Sequence, residues 1–180
     1  NVTYNAGVGQ ISGGTITPVA TLNNDVELDV SKVGGIQVGG LNINDNSFVT
    51  GYGITIAGNS LINTTGTTTS DLDFRSGTTT ITTIDMDGAL AVSGADITID
   101  DGAFSSIDIT GGTLNINGNI TESGASLTTT IGGATSTLNL ASGKTMTSNV
   151  IIMDRTFVAN GTIDGTFDMT DGILQGNMFI

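Results

Sequence analysis

Two stretches of the chain place carboxylates beside a glycine turn: Asp85-Met86-Asp87-Gly88 and Asp100-Asp101-Gly102. Hard cations such as calcium take oxygen ligands of this kind. Neither stretch has the spacing of the EF-hand loop or of the calcium-binding nonapeptide of parallel β-helices. Asp and Gly are also the residues that tight turns favour, so no metal ligand is assigned. A second reading pairs carboxylates for glycoside cleavage. Asp96, Asp100 and Asp108 are candidates, because two carboxylates about 5–10 Å apart on one face of stacked strands meet that requirement. Enzymes of this sort also use Arg or Lys, and aromatic rings against the sugar. This chain has two Arg, two Tyr and no Trp, so no catalytic residue is assigned either.

Two further surface chemistries are weaker still. Glycosylation sequons begin at Asn1, Asn63, Asn119 and Asn160. Asn, Ser and Thr are so abundant here that about four sequons arise by chance. Thr-x-Thr ladders on flat solenoids bind ice, but these Thr residues cluster in triplets, such as Thr67-Thr68-Thr69 and Thr78-Thr79-Thr80, and recur at no fixed interval.

What is missing narrows the field more than what is present. The chain has no Cys and no His, which removes disulfides, thiolate chemistry, imidazole bases and the usual zinc sites. Net charge is −13, and the basic residues are Lys32, Arg75, Lys144 and Arg155 alone. Phosphate backbones and anionic membranes both need clustered Lys and Arg, so neither nucleic acid nor a membrane surface is an expected partner. No apolar run approaches the 18 or so residues of a spanning helix. The chain opens on Asn1 without a leader-like segment, which is expected of a processed protein or a part of a longer one. No cofactor is implied.

The elements that would carry any site are short strands. Ser and Thr make up 45 of the 180 residues, and Gly adds 27. Thr is β-branched and suits strands, whereas Asn and Gly suit turns. Strong helix formers are sparse, and no segment has helical periodicity. The stretch from Gly94 to Gly118 is the clearest unit. It holds three alternating runs, 96–100, 106–110 and 113–117, separated by glycines. In each run two aliphatic residues sit two apart, so one face is apolar and the other wet. One such run cannot stand alone, but a stack of them buries a continuous apolar column.

The same theme recurs along the chain. Residues 1–24 are an irregular N-terminal segment holding the sole proline, Pro18, which implies a bend or an edge. Residues 25–180 are a single β-repeat array. Asp25 to Val30 alternates acid and aliphatic. Gly34 to Asn44 sets two aliphatic pairs around Gly39-Gly40, a hairpin or a solenoid corner. In the Thr-rich stretch from Asn63 to Ile84 the register is weakly specified, because Thr can face either way. Val150 to Met153 is apolar on both faces, as in a strand buried on both sides. Successive aliphatic pairs are unevenly spaced, so the repeat is one of kind and not of strict period.

GGIQVGGLNINDNSF, ITIAGNSLINTTGTTTSDLDF and ADITIDDGAF resemble the degenerate repeats of tail-fibre and virion appendage proteins of tailed bacteriophages. The resemblance covers residues 34–119, and bacterial surface adhesins share the composition. It implies an extended, homotrimeric fibre or spike, fixed at one end and touching the host at the other. It transfers no site residue.

The sequence therefore predicts an all-β, elongated fold, either a β-solenoid or an intertwined trimeric β-fibre. Its core would be thin columns that include Ile97, Ile99, Ile107, Ile109, Leu114 and Ile116. The expected role is structural, in an extracellular or virion fibre or spike with host-surface attachment. Its partners would be copies of itself, other virion or surface structural proteins, and a host glycan. The expected location is the virion or the cell surface. One alternative is a secreted adhesin or filament subunit that binds glycans. Another is a β-helical polysaccharide-degrading enzyme. In the stacked-strand scheme Ile107→Asp and Ile116→Asp are severe, and Thr68→Asp is mild.

Overall fold

Alternating aliphatic and small polar residues dictate strands, and frequent glycines dictate where they turn. The computed structural model describes the backbone of residues 2–4, 7–11, 15–122, 127–133, 135–153, 156–169 and 173–176. These residues hold strands and turns, with no helix. Every pairing between separate strands is parallel. Parallel neighbours need a long connection, and here the connection is the rest of one coil. The fold is a β-solenoid.

Each coil crosses three ladders in turn. On the first, Gly7–Ile11, Val26–Val30 and Phe48–Gly51 lie side by side. On the second, Ile36 lies over Ile54, Ile54 over Leu72 and Leu72 over Leu90, at equal intervals along the chain. On the third, Ala20 lies beside Leu41, Asn42 beside Leu61 and Leu61 beside Thr80. One strand, Thr78–Glu122, runs unbroken round the corners of the middle coils. Beyond it the second ladder continues from Ile107 to Thr129, Ile151 and Phe167, and the third from Leu114 to Leu138 and Phe157. The steps from Ile107 to Thr129 and from Leu114 to Leu138 are longer than the regular step from Ile36 to Leu90 along the second ladder and differ from one another.

Corner turns absorb the spare residues. The turn at 32–35 is closed by Gly35 N donating to Lys32 O at 2.9 Å, with Gly34 and Gly35 at φ +83° and +82°. A second turn is closed by Lys144 N donating to Ala141 O at 3.3 Å. A strand that turns at such a corner changes ladders while its side-chain alternation resumes. Ile36–Asp45 does this at Gly39-Gly40, which is a solenoid corner and not a hairpin. Strands Val2–Tyr4, Gly7–Ile11 and Thr15–Leu22, within the segment read as irregular, join the same ladders. Pro18 falls in the register shift between Ile16 and Val19, where a missing N–H costs the ladder least.

The core is a set of thin aliphatic columns down the axis. Ile97, Ile99, Ile107, Ile109, Leu114 and Ile116 are all fully buried, as the alternation required. Each such side chain contributes about 1.5–3 kcal/mol by leaving water. The coils close on one chain, so the columns are sealed by sequence neighbours one turn away. Three fully buried phenylalanines, Phe74, Phe104 and Phe157, are the core's largest side chains.

Buried hydroxyls tie the coils together at their corners. Ser47 Oγ accepts from Val26 N at 3.0 Å, Ser60 Oγ accepts from Leu41 N at 2.9 Å, and Ser70 Oγ donates to Gly51 O at 3.0 Å. Thr68 belongs to this inward set, which corrects the expectation that it faces water. It is fully buried, and its Oγ1 accepts from Val49 N at 3.4 Å. In a Thr triplet the pleat must bury the middle or the outer pair, and the triplets at 67–69, 78–80 and 128–130 each bury the middle residue, Thr68, Thr79 and Thr129. In the run 150–153, Ile151 is buried, and the side chains of its neighbours lie outside the described residues.

Candidate functional site

The solenoid surface carries polar ladders with the step of the coil. Asn44 Nδ2 donates to Asn23 Oδ1 at 2.7 Å, and Asn139 Nδ2 donates to Asn115 Oδ1 at 2.8 Å. Thr50 Oγ1 donates to Glu27 Oε1 at 3.2 Å, and Thr67 Oγ1 to Asp85 Oδ2 at 2.8 Å. These contacts neutralise donors and acceptors between coils and hold the outer face in register.

The acidic residues picked out in the sequence are spread over this surface. Asp96 and Asp100 are exposed on the third ladder, whereas Asp108 is half-buried on the second. Four residue steps of strand lead from Asp96 to Asp100, about 13 Å of chain. That exceeds the carboxylate separation of a glycosidase. The two candidate calcium stretches each contribute one aspartate to a shared concavity. Asp85 and Asp101 line one concavity of about 290 Å³, together with Thr64, Thr65 and Thr83. Asp101 Oδ1 accepts from Gly102 N at 2.9 Å, which is turn chemistry. Among the described residues no three carboxylates converge as a metal would need. Of the sequons, Asn63, Asn119 and Asn160 are exposed, and Asn1 lies outside the described residues. The Asn119 side chain accepts from Thr145 N at 3.0 Å.

A second concavity, of about 310 Å³, was not anticipated from the sequence. It lies at the corner between the first and second ladders and is lined by Tyr52, Asp71 and Asp73 with Gly34 and Gly53. Three consecutive coils build it. Gly51, at φ +82°, turns the chain, and Tyr52 N donates to Val30 O at 2.9 Å. Gly53 O then accepts from Ile36 N at 3.1 Å, and Asp71 O accepts from Ile54 N at 2.8 Å. The backbone under the cleft is therefore pinned on both sides. Tyr52 remains 47% exposed, and Val33, next to Gly34 of the same cleft, is exposed as well. Asp71 Oδ1 accepts from Ala89 N at 2.9 Å. Asp73 accepts from Ser93 Oγ at 2.6 Å and from Arg75 Nε at 2.7 Å. One period of the coil separates position 52 from position 71, and that spacing was the available signal.

Comparison with family models, curated proteins and solved structures finds no match to this chain.

Proposed function

We propose that the chain is a structural segment of an extracellular or virion fibre or spike, of the tail-fibre kind that its repeats resemble. Its main partners are further copies of itself, arranged as a homotrimer, and it sits on the virion or cell surface. The observation that supports this reading is the continuous parallel stacking of coils, from Val2–Tyr4 to Ile173–Gln175. Each coil adds about 4.8 Å of length through backbone hydrogen bonds aligned with the axis. It does so with only a few buried aliphatics, so length comes without a broad core. The outer face is small, polar and acidic, which keeps a long surface soluble.

The mass in solution, from light scattering on a sizing column, tests the reading. A mass three times that of the 18.1 kDa chain is expected. A monomer at every concentration contradicts it, and open-ended polymers replace the fibre trimer with a self-assembling surface filament.

A further inference from the structure

We infer that the concavity beneath Tyr52 is a saccharide-binding site for neutral or amino-bearing sugars. The inference stands on the corner geometry and not on the assembly state, so its failure and that of the fibre reading are separable. Sugars are recognised by two chemistries at once. The C–H faces of a pyranose lie against an aromatic ring, and pairs of hydroxyls donate to a carboxylate. Both are present within one cleft of about 310 Å³, in Tyr52 and in Asp71 and Asp73.

Each element is held as a binding site requires. Tyr52 stands on a backbone fixed by its N–H to Val30 O, and the glycine turn at Gly51 leaves the ring at the surface. Gly34, also in the lining, has nothing within 4 Å of where a Cβ would stand, so no neighbour crowds that part of the cleft. Ala89 N orients the Asp71 carboxylate through Oδ1. Arg75 and Ser93 orient that of Asp73. Preset carboxylates lose little entropy on binding, which is what a shallow site needs.

Charge sets the class of sugar. The chain carries −13 overall, and the polar lining of the cleft is Asp71, Asp73 and Thr55, with the Arg75 guanidinium paired to Asp73, so Asp71 carries the excess negative charge there. Uronates, sulfated sugars and phosphorylated polymers would meet like charge there, whereas hydroxyls and protonated amines meet acceptors. The chain has no Trp and one other Tyr, Tyr4, so in a Tyr4→Phe background tyrosine emission reports on the Tyr52 ring.

The test titrates the whole chain with cellohexaose, maltohexaose, mannohexaose and chitosan hexamer, with oligogalacturonate as the acidic comparison. Tyrosine fluorescence and saturation-transfer NMR are the readouts. Saturable binding of at least one neutral or amino sugar is expected. Tyr52→Ala and Asp71→Asn should each weaken it by about fivefold or more. Because Tyr52 is exposed, the melting temperature of Tyr52→Ala should stay within about 2 °C of the parent. Binding of none of these sugars overturns the inference. So does equal affinity in the folded Tyr52→Ala variant, or a preference for oligogalacturonate.

Discussion

Thr79 offers the sharpest test of the inward columns. It is fully buried on the third ladder, with Cα beside that of Ser60 in the preceding coil. Ser60 uses its hydroxyl twice, accepting from Leu41 N at 2.9 Å and donating to Gly58 O at 3.3 Å. Thr79 Oγ1 has no hydrogen-bond partner. A buried hydroxyl without a partner costs about 1–3 kcal/mol on the scale of protein mutational data. Valine has the same shape, keeps the β-branch that strands favour and removes the hydroxyl. Thr79→Val should therefore stabilise the chain by about 1–2 kcal/mol. For a chain of this length that is a rise of about 2–8 °C in melting temperature. Ser60→Ala should move the other way by about 1–3 kcal/mol, because it leaves the Leu41 N–H unpaired. Thermal unfolding followed by circular dichroism reads both. A fall in melting temperature for Thr79→Val would refute the reasoning, since it would mean that the hydroxyl is satisfied or faces outward.

Three further outcomes follow from the same geometry. Ile107→Asp, Ile116→Asp and Thr68→Asp each bury a carboxylate and should cost more than about 4 kcal/mol, whereas Thr82→Asp, at an exposed position, should stay within about 0.5 kcal/mol. Comparable losses at Thr82 and Ile107 in chemical denaturation would contradict the assigned faces. Gly118→Ala drives a Cβ into the Asp100 carbonyl of the adjacent coil and should prevent normal stacking, seen as lost solubility or a fall of more than about 10 °C. Gly143→Ala, at φ +72° with open space around it, should cost only about 1–2 kcal/mol of backbone strain, and equal effects at the two glycines would contradict the close coil contact. Asn44→Ala removes the amide donor to Asn23 and should cost about 0.5–1.5 kcal/mol, checked by the denaturation midpoint.

The strand content and the inward aliphatics were legible because side-chain alternation is a local property. Ile97 and Ile99, or Leu114 and Ile116, need no knowledge of the next coil to be placed inside. The period was harder to read. Ile36, Ile54, Leu72 and Leu90 follow one another at equal intervals, but strands of the other ladders lie between them. Spacing between successive aliphatic pairs mixes three ladders and looks irregular, whereas spacing along one ladder does not. Thr68 is hard to place from sequence because a Thr triplet offers the pleat no apolar marker, and only its neighbours in the stack decide which hydroxyl turns in. The cleft at Tyr52 was hidden for a related reason. Asp71 and Asp73 look like ordinary turn acids until one full coil brings them beneath the ring.

Engineered disulfides test the stacking most directly, because the chain has no cysteine of its own. Asn42 and Leu61 are Cα partners on neighbouring coils, and Asn42 and Thr80 stand two coils apart. Parallel neighbours lie about 4.8 Å apart, within disulfide reach, whereas two coils span about 9–10 Å, which is beyond it. The double variant Asn42→Cys with Leu61→Cys should oxidise to a bridge within one chain, running as a monomer on a denaturing gel. Asn42→Cys with Thr80→Cys should stay reduced under the same conditions. A bridge between chains in the first pair, or an efficient bridge in the second, would contradict a solenoid coiled from a single chain.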